Sequence, residues 1–112
     1  MKFDYTHCMT TTDPILAKFR DALTALYGDR IERVVLYGSR ARGDAREDSD
    51  YDIALFLKGE TSMWAEHKLI HPIEWAIFEE TGADISTFTF PAGSWEQRTL
   101  LMHEIRKDGL DL

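Results

Sequence analysis

The sequence predicts a protein of the α/β (α+β) class, a small mixed β-sheet flanked by helices. Three observations carry this. Residues near 14–27, 62–81 and 94–109 have helical spacing or composition, 31–37 and 51–57 are apolar runs, and 84–90 alternates as a strand does. At 112 residues the chain has the usual size of one domain. No repeat, low-complexity segment or internal linker divides it, so residues 13–112 are expected to form a single domain behind a weakly structured lead-in, residues 1–12.

Asp13 followed by Pro14 reads as a helix start, an N-cap acceptor ahead of a proline whose missing amide hydrogen costs nothing at the first position. Ile15, Phe19, Leu23 and Leu26 follow at helical spacing, and Gly28 stops the helix. Val34-Val35-Leu36-Tyr37 then forms a strand that ends abruptly at Gly38, with Ser39 to Arg42 long enough for one helical turn. After a charged loop, Tyr51 to Leu57 reads as a central strand whose only acid, Asp52, lies at its entrance. Ser62 caps the next helix, and Pro72 is expected to kink or break it before Thr81-Gly82 ends it. Asp84 to Phe90 supplies a third strand, and a last helix is expected from near Ser94 to Gly109.

The chemistry concentrates between the first two strands. A strand that ends in Gly38-Ser39 and turns into a helix presents free amides, a hydroxyl and a positive dipole end to one small volume, which suits a phosphate. Glycine lets the backbone approach the anion, Ser39 can donate a hydrogen bond, and Arg40 and Arg42 add charge-assisted donors. Asp50 and Asp52 stand two apart at a strand entrance, so both carboxylates fall on one face. Two like charges held close call for a cation between them, and Mg²⁺ bridging to triphosphate oxygens would supply it. Gly-Ser or Asp-x-Asp alone is commonplace; the four letters at this separation arise by chance in about one such chain in a thousand. Tyr51, Asp44, Glu47 and Asp48 read as solvated or structural. His67 and His71 share a helix face, but no third ligand accompanies them and Pro72 disturbs the spacing, so a zinc site is not expected.

The stretch Leu36-Tyr37-Gly38-Ser39-Arg40-Ala41-Arg42-Gly43 through Ser49-Asp50-Tyr51-Asp52-Ile53 resembles the minimal nucleotidyltransferases, the short branch of the DNA polymerase β-like nucleotidyltransferase superfamily. Ile105-Arg106-Lys107-Asp108-Gly109 is similar to that family's closing Ile-Arg-x-x-Gly, and only residues 1–12 and 64–72 fall outside the likeness. The resemblance implies the polymerase β-like fold and a third carboxylate at Asp84, in Gly82-Ala83-Asp84-Ile85. It further implies that Asp50, Asp52 and Asp84 are catalytic and hold two Mg²⁺ ions, and that Gly38, Ser39, Arg40 and Arg42 bind the phosphates of ATP. AMP would then pass to a hydroxyl.

A net charge of −7 argues against a broad footprint for duplex nucleic acid, and no stretch is long and apolar enough to span a bilayer. The single cysteine, Cys8, excludes an intrachain disulfide framework and fits a reducing, cytoplasmic compartment. A chain this small has little room to enclose a second substrate, so the acceptor is expected to come from outside. The resemblance to antitoxins of the minimal nucleotidyltransferase group implies a tyrosine on a HEPN-type ribonuclease toxin. The rival readings are an antitoxin that acts by binding alone, which the intact acids disfavour, and a stand-alone enzyme acting on a small molecule, which lacks an acceptor domain.

Overall fold

The computed structural model describes residues 13–46 and 48–112. The expected lead-in, with Cys8, and Glu47 in the charged loop lie outside them. Helix α1 (Pro14–Tyr27) starts where Asp13 Oδ1 accepts the Ile15 amide at 2.9 Å. A 3₁₀ turn (Gly28–Arg30) leads into β1 (Ile31–Tyr37), the single-turn α2 (Ser39–Arg42) and β2 (Tyr51–Leu57). Then come α3 (Met63–Thr81), β3 (Ile85–Pro91), a second 3₁₀ turn (Ser94–Glu96), α4 (Leu100–Asp108) and β4 (Leu110–Asp111). The four strands form one sheet in the order β3-β2-β1-β4, with β2 and β3 parallel and the other neighbours antiparallel. This is the mixed sheet flanked by helices that the sequence predicts.

Alternation along β1 and β2 divides the core in two. On one face Val34, Leu36, Tyr51, Ile53, Leu55 and Leu57 pack with Leu16, Phe19, Leu23 and Tyr27 of α1 and Ile70 and Ile77 of α3. On the other, Val35, Ala54 and Phe56 meet Met102 and Ile105 of α4, with Tyr37, Phe90 and Trp95 at the margin. Because both faces are covered, β2 is buried almost throughout, which is why it reads as a continuous apolar run. Asp52 and Asp50 belong by alternation to the α4 face.

Three expectations are corrected. The buried stripe of α1 is Leu16, Phe19, Leu23 and Tyr27, and Leu26 is exposed; the amphipathic Tyr27 stays inside because its hydroxyl donates to Glu66 Oε1 at 2.8 Å. Helix α3 continues through Pro72. That residue is on the solvent side, where the carbonyl of Lys68, which loses its amide partner, can be hydrated. The last helix starts at Leu100, not near Ser94, because the Thr99 hydroxyl caps the Met102 amide at 3.1 Å and residues 94–96 form their own turn. The two-residue β4 was too short to show as a pattern.

Candidate active site

The chain leaves β1 through Gly38, at φ 79° and ψ −158°, a conformation that disfavours any side chain. A second constraint acts at the same atom. Tyr37 pairs with Asp52 across the sheet, and a Cβ on Gly38 would lie 2.4 Å from Oδ2 of Asp52 and 3.3 Å from its Cγ. The backbone at 38 therefore packs directly against the Asp52 carboxylate. The amides of Ala41 and Arg42 bond back to the Gly38 carbonyl, both at 3.1 Å, and Gly43 and Asp44 bond to the carbonyl of Ser39. The amide of Ser39, at the start of α2, has no acceptor within the helix.

Asp52 is half-buried and Asp50 is exposed. Burial raises the Asp52 carboxyl above its ordinary value and the charge of Asp50 raises it further, while Arg42 opposes both. Two carboxylates repelling each other beside a glycine cradle form a donor set that suits a hard divalent cation. Tyr37, half-buried on the same face, is pushed up to about 12 by burial and by the Asp52 charge.

The structure sends the two arginines of α2 in different directions. Arg42 is exposed and turns toward α4, with Nε 3.2 Å from Asp44 Oδ2 and Nη1 3.7 Å from Asp108 Oδ2. Arg40 turns toward α1: Nε and Nη2 donate to the Ser49 carbonyl at 3.2 and 2.9 Å, and its guanidinium lies 4.2 Å from the centre of the Tyr51 ring. Tyr51, buried beneath it, donates to Asp13 Oδ2 at 3.1 Å. Ser49 accepts the Arg46 amide on its hydroxyl at 2.8 Å. Arg40, Ser49 and Tyr51 thus hold the loop that carries Asp50.

Asp84 stands just ahead of β3 with its carbonyl accepting the Tyr51 amide at 2.8 Å, one strand from the other two acids, and its carboxylate is exposed. Among the described residues, no three His, Cys, Asp or Glu side chains are gathered as a ready-made metal cage. Asp50 and Asp52 are brought into electrostatic contact; Asp84 is brought to the neighbouring strand. The rings of His67 and His71 lie 5.1 Å apart, with His71 Nδ1 3.8 Å from Glu74, and form no such cage either.

Sequence reasoning quoted Tyr37, Ser49 and Asp108 within its motifs but gave them no role. Tyr37 could have been placed from its position two residues before Ser39 on a strand facing Asp52; Asp108 lies too far away in sequence for any spacing to associate it with Arg42.

Residues 16–99 match the model of the nucleotidyltransferase domain. The chain belongs to this family. The matched range takes in residues 64–72, which the resemblance had left aside, and stops short of the closing Ile105–Gly109 segment. Two proteins of Methanocaldococcus jannaschii, each named "putative protein adenylyltransferase", are 34% identical over 56 residues and 45% identical over 40 residues. These matches cover 50% and 36% of this chain and 57% and 40% of the relatives, so the chain spans about half of their length. In fold, the chain is similar to a "putative nucleotidyltransferase" from Sulfolobus solfataricus, with a TM-score of 0.64 at 18% identity over 99% of this chain and 89% of that one. A toxin–antitoxin crystallised with AMP-PNP gives a TM-score of 0.59 at 17% identity, covering 83% of this chain and 68% of that one. The toxin–antitoxin MntA-HpeT gives 0.58 at 15% identity, covering 82% and 68%. Among the described residues, no helix is long and apolar enough to cross a membrane.

Proposed function

We propose that this chain is a Mg²⁺-dependent nucleotidyltransferase, formed by a single domain of residues 13–112, that moves AMP from ATP onto a tyrosine of a HEPN-type ribonuclease toxin in the cytoplasm and so acts as its antitoxin. The observation that supports the reading is the close approach of Gly38 to the Asp52 carboxylate, a turn suited to a phosphate beside an acid suited to a cation. The names of the curated relatives support a protein acceptor. The neighbour with AMP-PNP supports an adenine nucleotide, and the toxin–antitoxin neighbours support a toxin partner.

In this reading Asp50 and Asp52 hold the cation and Asp84, just ahead of β3, completes the set. Bound Mg²⁺ would neutralise charge on the triphosphate and stabilise the attacking and leaving oxygens. Gly38 lets the triphosphate reach the amide at the start of α2, and the Ser39 hydroxyl donates to a phosphate oxygen. Arg42, itself exposed and bound among the described residues to Asp44 and the half-buried Asp108, can extend to the departing pyrophosphate. Arg40 serves the phosphates by fixing the loop. The acceptor hydroxyl attacks the α-phosphorus in line: an oxygen–phosphorus bond forms, the bond to pyrophosphate breaks, and the hydroxyl proton passes to Asp84.

The test is incubation with Mg²⁺, labelled ATP and the product of the neighbouring gene, beside an Asp50→Ala, Asp52→Ala double variant. Transfer of label should fall at least about a hundredfold in the variant. Label transfer that survives the double substitution would overturn the assignment of these acids, and toxin neutralisation without any label would favour binding alone.

A further inference from the structure

A hollow of about 200 Å³ opens between α3 and β3, lined by His71, Glu74, Trp75, Phe78, Asp84 and Ile85. Trp75 and Phe78, 53% and 41% exposed, stack with ring centroids 5.5 Å apart and planes at 28°. Two carboxylates share the lining. Glu74 has only His71, at 3.8 Å, as an ionic partner among the described residues, and the Asp84 carboxylate has no hydrogen-bond or ion-pair partner among them.

Two aromatic faces and the poorly compensated Glu74 carboxylate around one hollow, with Asp84 at its rim committed to the reaction, make on a chain of net charge −7 an environment for a cation. An organic cation is favoured over an inorganic one, because the stacked rings of Trp75 and Phe78 suit a weakly hydrated organic cation. The hollow is also open from outside: β3 is the edge of the sheet, and no described strand pairs with its outer side.

We propose that this hollow docks a Lys or Arg side chain of the acceptor protein, beside the hydroxyl to be modified; the acceptor's being a protein rests on the function proposed above. Asp84 joins the two places, since its carbonyl bonds to the Tyr51 amide between Asp50 and Asp52. Asp84 stands one strand from Asp50 and Asp52, so with strands about 4.8 Å apart and an extended chain advancing about 3.3 Å per residue, the basic residue falls about one or two positions from the acceptor hydroxyl.

The test uses synthetic twelve-residue peptides carrying one tyrosine and, two positions away, Arg, Ala or Glu. Binding is measured by calorimetry without nucleotide, and labelled AMP transfer is measured separately with ATP and Mg²⁺. Against the intact protein the Arg peptide should bind about three- to thirtyfold more tightly than the Ala peptide, and the Glu peptide least. Trp75→Ala and Glu74→Gln should each erase most of that preference while leaving ATP affinity unchanged, and Glu74→Lys should reverse it. Equal binding of the three peptides, or a preference that survives both Trp75→Ala and Glu74→Gln, overturns the docking assignment even if label is transferred. Charge-selective binding that depends on Trp75 and Glu74 but is followed by no transfer upholds the docking site and tells against the transferase reading.

Discussion

Gly38 meets two demands at once, a left-handed backbone and the absence of a Cβ facing the Asp52 carboxylate. Alanine there must push that carboxylate aside, so Gly38→Ala should lower labelled AMP transfer about a hundredfold or more, as a misplacement of roughly 1 Å does, while the far-ultraviolet circular dichroism stays that of the wild type. Asp52 makes a different prediction, through pH. Its carboxyl is raised in the folded protein by burial and by Asp50, so the folded state binds the proton more tightly than the unfolded chain does. Its contribution to stability is then greatest below the unfolded value, about 3.9, and is lost as pH rises through the raised folded value. Without divalent cations, Asp52→Asn should therefore melt above the wild type at pH 7, and the gap should narrow toward pH 3. A gap that widens on acidification would mean that the carboxylate is stabilised in the fold.

At the scale of elements, α4 and β1 are locked together by a close approach. A Cβ on Gly109 would lie 2.4 Å from the Ile105 carbonyl oxygen and 2.6 Å from Cγ1 of Val35, and Arg106 donates to the carbonyls of Trp95 and Gln97. Gly109→Ala should cost about 1–3 kcal/mol by overpacking, seen as a Tm lowered by roughly 5–15 °C in thermal unfolding. Strands β1 and β2 and helix α1 were legible because composition, turn residues and caps agree over seven or more residues. The phase of α1 was misread because Tyr27 and Leu26 compete for one inward position, and a bond to the distant Glu66 decides it. Pro72 misled because a proline's cost depends on whether the carbonyl it orphans can reach water, which local sequence does not encode. In the site, spacing alone indicated Gly38, Ser39, Asp50 and Asp52. The divergence of Arg40 from Arg42 followed from contacts with Tyr51 and Asp108, each supplied by another element.

For the whole molecule, the candidate site lies at one end of a sheet whose β3 edge is uncovered, and a ligand bound only by the folded form should report on it. Adding Mg²⁺ and ATP at about a hundred times their dissociation constant should stabilise the protein by about 2.7 kcal/mol, a Tm rise on the order of 10 °C. The Asp50→Ala, Asp52→Ala variant should show little of this rise; an equal rise would place nucleotide binding elsewhere. The link from Ser49 through Arg40 and Tyr51 to Asp13 bears on how such occupancy could be watched. Asp13 takes the Tyr51 hydroxyl on one carboxylate oxygen and the Ile15 amide on the other. Any shift of the loop that moves Tyr51 must alter the field at an amide on the far side of the sheet. Ile15 is thereby a built-in spectroscopic sensor, reading the loop's state from the first turn of α1.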